Sequence, residues 1–259
     1  RRMGGGFMKK HKFSCERGGL TIRGNLFQPE GENLPIAILS HGFMANQSTM
    51  KGYAQAAAEL GFAAFTYDFC GGCLWGRSDG KTTDMSVLTE VEDLKAVIAY
   101  ASSLSFTDES RIVLIGASQG GFVSALTAAQ MGNKIERLVL FYPALCIPDD
   151  ARKGQMMFAK FDPAEIPSVI RCGPMKLGHV YPEAVMEMDP FKEIAPYQGP
   201  VLIIHGSEDK IVDLSYAKRA REAYVQCQLR VVMGAGHGFS KKDDETAIPW
   251  MRDFLSESF

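Results

Sequence analysis

The chain has 259 residues, 46% of them hydrophobic and 22% charged, with a formal net charge of −2. That length suits a single α/β domain, and the composition excludes a disordered tail, a collagen-like chain and a coiled coil. With 28 Lys+Arg against 30 Asp+Glu there is no overall basic excess to grip phosphates, so a small molecule is expected as partner and nucleic acid is not.

No apolar run approaches the roughly 18 residues that span a bilayer, so no membrane partner is expected. The start, Arg1-Arg2-Met3-Gly4-Gly5-Gly6, leads into Lys9, Lys10, His11 and Lys12 rather than an apolar core, unlike a secretory signal. The cysteines at 15, 70, 73, 146, 172 and 227 are scattered through a chain long enough to fold without them. Reduced thiols in a cytoplasm are the expectation, with an exported mature chain left open.

In chain order, Lys12 to Glu16 and Leu20 to Phe27 flank Arg17-Gly18-Gly19 and predict a hairpin. Pro35 to Ser40 is a short apolar run of the kind buried on both faces of a parallel sheet. An alanine-rich helix over Tyr53 to Leu60 precedes a second buried strand, Phe62 to Tyr67. From Asp84 to Leu104, apolar residues recur at three- and four-residue steps, predicting a long amphipathic helix. Then follow a strand at Arg111 to Gly116, a small-residue helix at Ser118 to Met131, and strands at Ile135 to Phe141 and Pro200 to Ile204. A helix at Asp213 to Val225, a strand at Leu229 to Met233 and a helix at Asp243 to Leu255 complete the order. Alternating strands and helices imply right-handed crossovers and a doubly wound, mostly parallel sheet in one domain spanning 1–259. Residues 143–197 interrupt the rhythm with a methionine- and proline-rich stretch too long for a simple connection; an inserted lid subdomain is expected there.

Gly116-Ala117-Ser118-Gln119-Gly120 matches G-x-S-x-G where a buried strand turns directly into a helix, the context of a nucleophile elbow. The competing reading is an ordinary turn with a serine cap. A serine hydroxyl needs a base, and the base needs an orienting acid. His11 falls in the hairpin and His179 in the insert, while His41 and His205 each end a buried strand and read as structural. His237, in the glycine-rich loop Gly234 to Gly238 after the last strand, is the candidate base. Asp209, on the exit loop of the strand ending at Ile204, is the candidate acid, and Asp213 reads as a helix cap. The backbone amides of Gln119 and Phe43 are the candidate oxyanion donors. Such a site hydrolyses a small-molecule ester through an acyl-enzyme and calls for no cofactor and no metal.

Four motifs, His41-Gly42-Phe43, Gly116 to Gly121, His205 to Asp209 and Gly236-His237-Gly238-Phe239, together resemble the α/β-hydrolase superfamily, and within it the bacterial cinnamoyl (feruloyl) esterases. The resemblance runs over about residues 9–257 and implies hydroxycinnamoyl or similar aromatic and medium acyl esters as substrates. In that family the insert covers the pocket and touches the phenolic ring. By position, the resemblance implies Asp149 or Asp150, and Gln155, as contacts to a ring hydroxyl. The chain departs from the family after the fourth strand, where Asp68 to Gly80 holds a longer loop with Cys70-Gly71-Gly72-Cys73. No second Cys or His pair stands at zinc spacing, so this loop reads as neither metal site nor redox motif. Trp75 within it is a candidate edge of the acyl pocket. The alternatives are a serine aminopeptidase, for which Glu165, Glu183, Glu187 and Asp189 offer carboxylates, a short-chain carboxylesterase, a haloperoxidase-like or thioester-cleaving enzyme, and a non-catalytic binding protein on the same fold. The oligomeric state is left open, a homodimer included.

Overall fold

The computed structural model describes residues 8–257; the basic segment 1–6, read above as no secretory signal, lies outside them. Strands β1 (Lys9–Arg17) and β2 (Leu20–Gln28) form the expected hairpin, with Gly18 and Gly19 both at positive φ in its two-residue turn. Next come β3 (Leu34–Ser40), α1 (Lys51–Glu59), β4 (Ala63–Tyr67), α2 (Val87–Ser102), β5 (Thr107–Ala117), α3 (Gln119–Met131) and β6 (Ile135–Phe141). Between β6 and the next strand of the main sheet lie α4 (Ile147–Lys153), the short hairpin of β7 (Gln155–Met156) and β8 (Ala159–Lys160), and a second hairpin of β9 (Val169–Cys172) and β10 (Met175–Gly178). Two short helices, α5 (Val180–Glu183) and α6 (Pro190–Ile194), complete the segment between the two strands. The main sheet resumes with β11 (Val201–Gly206), α7 (Leu214–Ala223), β12 (Cys227–Val232) and α8 (Lys241–Ser256).

Eight strands form one sheet in the order β1-β2-β4-β3-β5-β6-β11-β12, antiparallel across β1/β2 and β2/β4 and parallel thereafter. The apolar strands read from sequence are two-faced in the structure. On β3, Ile36 and Ile38 join the core beneath α2 and α3, while Ala37 and Leu39 join the opposite core with α1 and α8. The same alternation runs through Leu114 and Ile115 on β5 and through Ile203 and Ile204 on β11. Among the boundaries that differ from the sequence expectation, two have a clear physical cause. β5 begins four residues early because the polar segment Asp108 to Ser110, half-buried then exposed, continues the strand without an apolar signature. α2 begins late because Thr82–Asp84 forms its own short turn and Ser86 then caps the helix, sharing a reciprocal capping box with Thr89.

From β3 the chain passes to β4 on one side and returns to β5 on the other. The strand order therefore reverses at β3/β5, and the loops leaving these two strands border the crevice at the carboxyl edge where open α/β sheets hold their ligands. Helix α3 can lie this close to β3 only because Gly120 has no side chain: a methyl there would fall 2.3 Å from the carbonyl oxygens of both Ser40 and His41. Gly120→Ala is expected to force these backbones apart at about 1–3 kcal/mol, lowering the thermal midpoint by roughly 2–12 °C; an unchanged midpoint in calorimetry would contradict this packing.

Candidate active site

Ser118 occupies the corner between β5 and α3 at φ 54° and ψ −118°, a conformation that costs a side-chain-bearing residue on the order of 1–3 kcal/mol. The corner is held on all sides. The Ser118 N–H donates to the Phe141 carbonyl at 2.9 Å, and the Ser118 carbonyl accepts from the amides of Phe122 and Ala144. A methyl on Gly116 would lie 2.3 Å from the Gly120 carbonyl oxygen, so only glycine fits before the turn.

Ser118 Oγ lies 2.8 Å from His237 Nε2, and His237 Nδ1 lies 2.8 Å from Asp209 Oδ2. His237 reaches over the sheet on the loop after β12, where Gly238 takes φ 78°. Asp209 is held by the turn after β11, its Oδ1 accepting the amides of Ile211 and Val212 at 2.9 Å each. Burial alone would raise the Asp209 pKa, but hydrogen bonds from His237 and these amides outweigh it and hold the carboxyl below the usual range. Since the carboxylate is ionised, Nδ1–H of His237 is the donor to it and Nε2 is left to accept the Ser118 proton. Behind Asp209 stands His205, fully buried, with Nε2 2.8 Å from the Val212 carbonyl and 3.3 Å from Asp209 Oδ2. Burial lowers its pKa, so it is a neutral brace for the turn.

The loop after β3 is fixed from behind. His41 is fully buried; its Nε2 accepts the Phe69 amide at 3.1 Å, which assigns the proton to Nδ1, donating to the Gly42 carbonyl at 2.7 Å. Cys73 Sγ lies 3.3 Å from the same Nε2, and Met44 pairs with Cys73 as an isolated bridge. His41, Cys73 and Asp68 gather their donor atoms within 4.8 Å. Both Asp68 oxygens already accept from Gln47 and one also from the Arg77 amide, so the cluster is knit by hydrogen bonds. The Gln119 amide opens a helix, where it has no intrahelical acceptor. Its side chain is anchored below, Nε2 donating to Glu90 at 2.6 Å and Oε1 accepting from Tyr181 at 2.5 Å.

Ser118, Gln119 and Phe43 open onto a cavity of about 210 Å³ that is also lined by Cys146, Ile147, Met156 and Tyr181 from between β6 and β11. Two of the residues implied as ring contacts, Asp150 and Gln155, line it. The other two contact candidates do not. Asp149 turns away, accepting from Tyr216 and Arg152 at 2.6 Å each. Trp75 is 87% exposed and lines a different groove, because the Cys70–Cys73 turn carries its loop behind the β3 loop. Tyr142 went unread in the sequence. It takes φ 35°, and its buried ring packs against that of His237 with centroids 4.9 Å apart. The following proline favours extended backbone at this position, so the local signal points the wrong way.

The sequence model of the Dienelactone hydrolase family matches residues 22–253. A solved structure titled as ferulic acid bound to Est1E from Butyrivibrio proteoclasticus is 28% identical, with a TM-score of 0.87 over 94% of this chain and 97% of that one. The monoacylglycerol lipase of Mycolicibacterium smegmatis is 24% identical over 89% of this chain and 91% of its own length. The quorum-quenching protein AidA of Acinetobacter baumannii is 31% identical over 40% of this chain, which spans about a third of that relative.

The strain at Tyr142 has a measurable signature. Glycine bears φ 35° without cost, so Tyr142→Gly is expected to be about 1 kcal/mol more stable than Tyr142→Ala, inverting the usual order. Thermal unfolding of the pair reads this directly, and alanine ranking above glycine would deny the strain.

Proposed function

Because this chain belongs to the dienelactone hydrolase family, and the matched region holds Ser118, Asp209 and His237, we propose that this hydrolase is a serine esterase acting through an acyl-enzyme. The observation that carries the reading is the unbroken hydrogen bonding from Asp209 through His237 to Ser118, opening on a cavity that Phe43 and Gln119 also line. Ser118 Oγ attacks the ester carbonyl while His237 Nε2 takes its proton; Asp209 holds the imidazole orientation and stabilises the imidazolium. The Phe43 and Gln119 amides receive the oxyanion, one such donor being worth about 3 kcal/mol. The imidazolium then protonates the leaving alcohol, and water attacks the acyl-serine by the same route in reverse.

The substrates proposed are hydroxycinnamoyl or similar aromatic acyl esters, and residues 143–197 are the lid that forms their pocket. Met156, Ile147 and Tyr181 supply an apolar slot, and Asp150 and Gln155 place polar groups among them for a ring hydroxyl. Burial raises the Asp150 pKa, which suits a carboxyl that shares a proton with a phenol. The ferulic acid held by the Est1E structure supports this choice. An aminopeptidase is less well served. Lys153 and Lys210 line the same cavity as Asp150 and oppose an ammonium, while Glu165, Glu183, Glu187 and Asp189 lie outside its lining. No helix among the described residues is long and apolar enough to cross a membrane, and the free thiols fit a reducing cytoplasm.

Ser118→Ala is expected to lower turnover of methyl ferulate and p-nitrophenyl butyrate roughly a million-fold, and Asp209→Asn roughly ten-thousand-fold; full activity in folded Ser118→Ala would end the mechanism. Asp150→Leu is expected to raise KM for methyl caffeate several-fold over that for methyl cinnamate, which lacks the ring hydroxyl. Equal effects on both esters, or faster cleavage of an aminoacyl-nitroanilide, would reject the substrate class.

A further inference from the structure

The exposed indole of Trp75 stands beside a groove of about 720 Å³, larger than the catalytic cavity and separate from it, on the antiparallel side of the sheet. Its floor is a built polar surface. Gln47 Oε1 accepts from Asn25 at 2.7 Å and from Thr66 at 3.1 Å, while the Gln47 backbone and side chain both donate to Asp68. Around this floor stand Lys10, Lys12, Lys51 and Arg77. The register fixes two of them: Lys12 pairs with Asn25, and Lys10 pairs with Phe27, its Nζ 5.5 Å from that ring.

The charge balance here runs against that of the whole chain. Four cations face a single carboxylate, Asp68, which is buried and accepts three hydrogen bonds, in a protein of net charge −2. None of the four is within ion-pairing distance of a carboxylate among the described residues, whereas the neighbouring Arg23 is paired with Asp79 at 2.8 Å. Lysines on an edge strand guard against strand pairing, which would account for Lys10 and Lys12 on β1. Lys51 belongs to α1, and Arg77 and Trp75 to the loop after β4, and edge protection asks for neither an indole nor a concavity. Clustered unpaired cations in a cleft raise the local concentration of anions, and a flat ring stacks on an exposed indole.

We infer that this groove binds a small polyanion, a compound carrying two or more phosphate groups beside a flat ring, with the ring on Trp75 and the phosphates among Lys12, Lys51 and Arg77. Neutralising four clustered charges demands a multivalent anion, and an indole alone in solvent favours one that also offers a planar face. The site is independent of Ser118 and stands whether or not the esterase reading does.

Calorimetric titration of the full chain with ATP, tripolyphosphate, adenosine and trigalacturonate tests it, read beside tryptophan fluorescence. Trp75→Phe identifies the signal of this indole against that of Trp250. ATP is expected to bind more tightly than tripolyphosphate, adenosine not measurably, and affinity to fall on raising salt from 50 to 200 mM. Lys12→Glu and Lys51→Glu, both at exposed positions, should each weaken ATP about tenfold while leaving the melting temperature and ester hydrolysis unchanged. Trp75→Ala should erase the advantage of ATP over tripolyphosphate. No heat with either phosphate compound at millimolar concentration, or binding indifferent to both charge reversals, would overturn the site. Tighter binding of trigalacturonate, or binding to phosphatidylserine vesicles without binding to ATP, would overturn the phosphate assignment.

Discussion

The site depends on a backbone that is held where it would not go by itself. Ser118 at φ 54° lifts its hydroxyl off the sheet edge, and the strain is maintained by what surrounds it: the Phe141 carbonyl on its amide, the Phe122 and Ala144 amides on its carbonyl, and glycines where methyl groups would strike backbone oxygens. The cost of a few kcal/mol is small beside the apolar surface buried by the two cores on either side of the sheet. Tyr142, one residue beyond the strand that accepts the Ser118 amide, is strained as well. The two outliers each stand one residue past the end of adjacent parallel strands, and one bears the hydroxyl while the other backs the imidazole that faces it.

Behind this first row, buried polar groups hold each member in place. Asp209 reaches His237 through one oxygen because the other is committed to two amides of its own turn, which His205 braces through the Val212 carbonyl. Gln119 keeps its side chain between Glu90 and Tyr181. Burial drives the Glu90 pKa well above the usual carboxylate range, and the neutral acid is the form that a closed core tolerates. The segment between β6 and β11 is thus joined to the start of α3 by a hydrogen bond, since Tyr181 belongs to α5.

The loop between β4 and α2 serves two surfaces at once. Its cysteine at 73 meets His41 behind the loop after β3, while Trp75 and Arg77 turn outward to the basic groove. No residue of that loop lines the cavity at Ser118, and its C-x-x-C spacing reflects a tight turn that buries both thiols.

Much of this was legible in the chain itself. Apolar runs between helical periodicities determined the doubly wound sheet, because burial on both faces leaves an unmistakable pattern, and G-x-S-x-G at a strand-to-helix corner marked Ser118. The order of Ser118, Asp209 and His237 was likewise local information, each residue standing on a loop that leaves a strand at the same edge. Three things waited for the tertiary structure. Asp149 and Asp150 are neighbours on a short helix, so sequence position leaves them equivalent, and only packing against Tyr216 and Arg152 turned one away from the cavity. The side of the sheet to which Trp75 falls was set by the bridge between Met44 and Cys73, a contact across nearly thirty residues with no signature in either segment. The strain at Tyr142 opposes the preference of its own dipeptide. Local propensity governs where strands and helices form, but which neighbours a side chain meets across the fold is decided by long-range contacts that no short window of sequence contains.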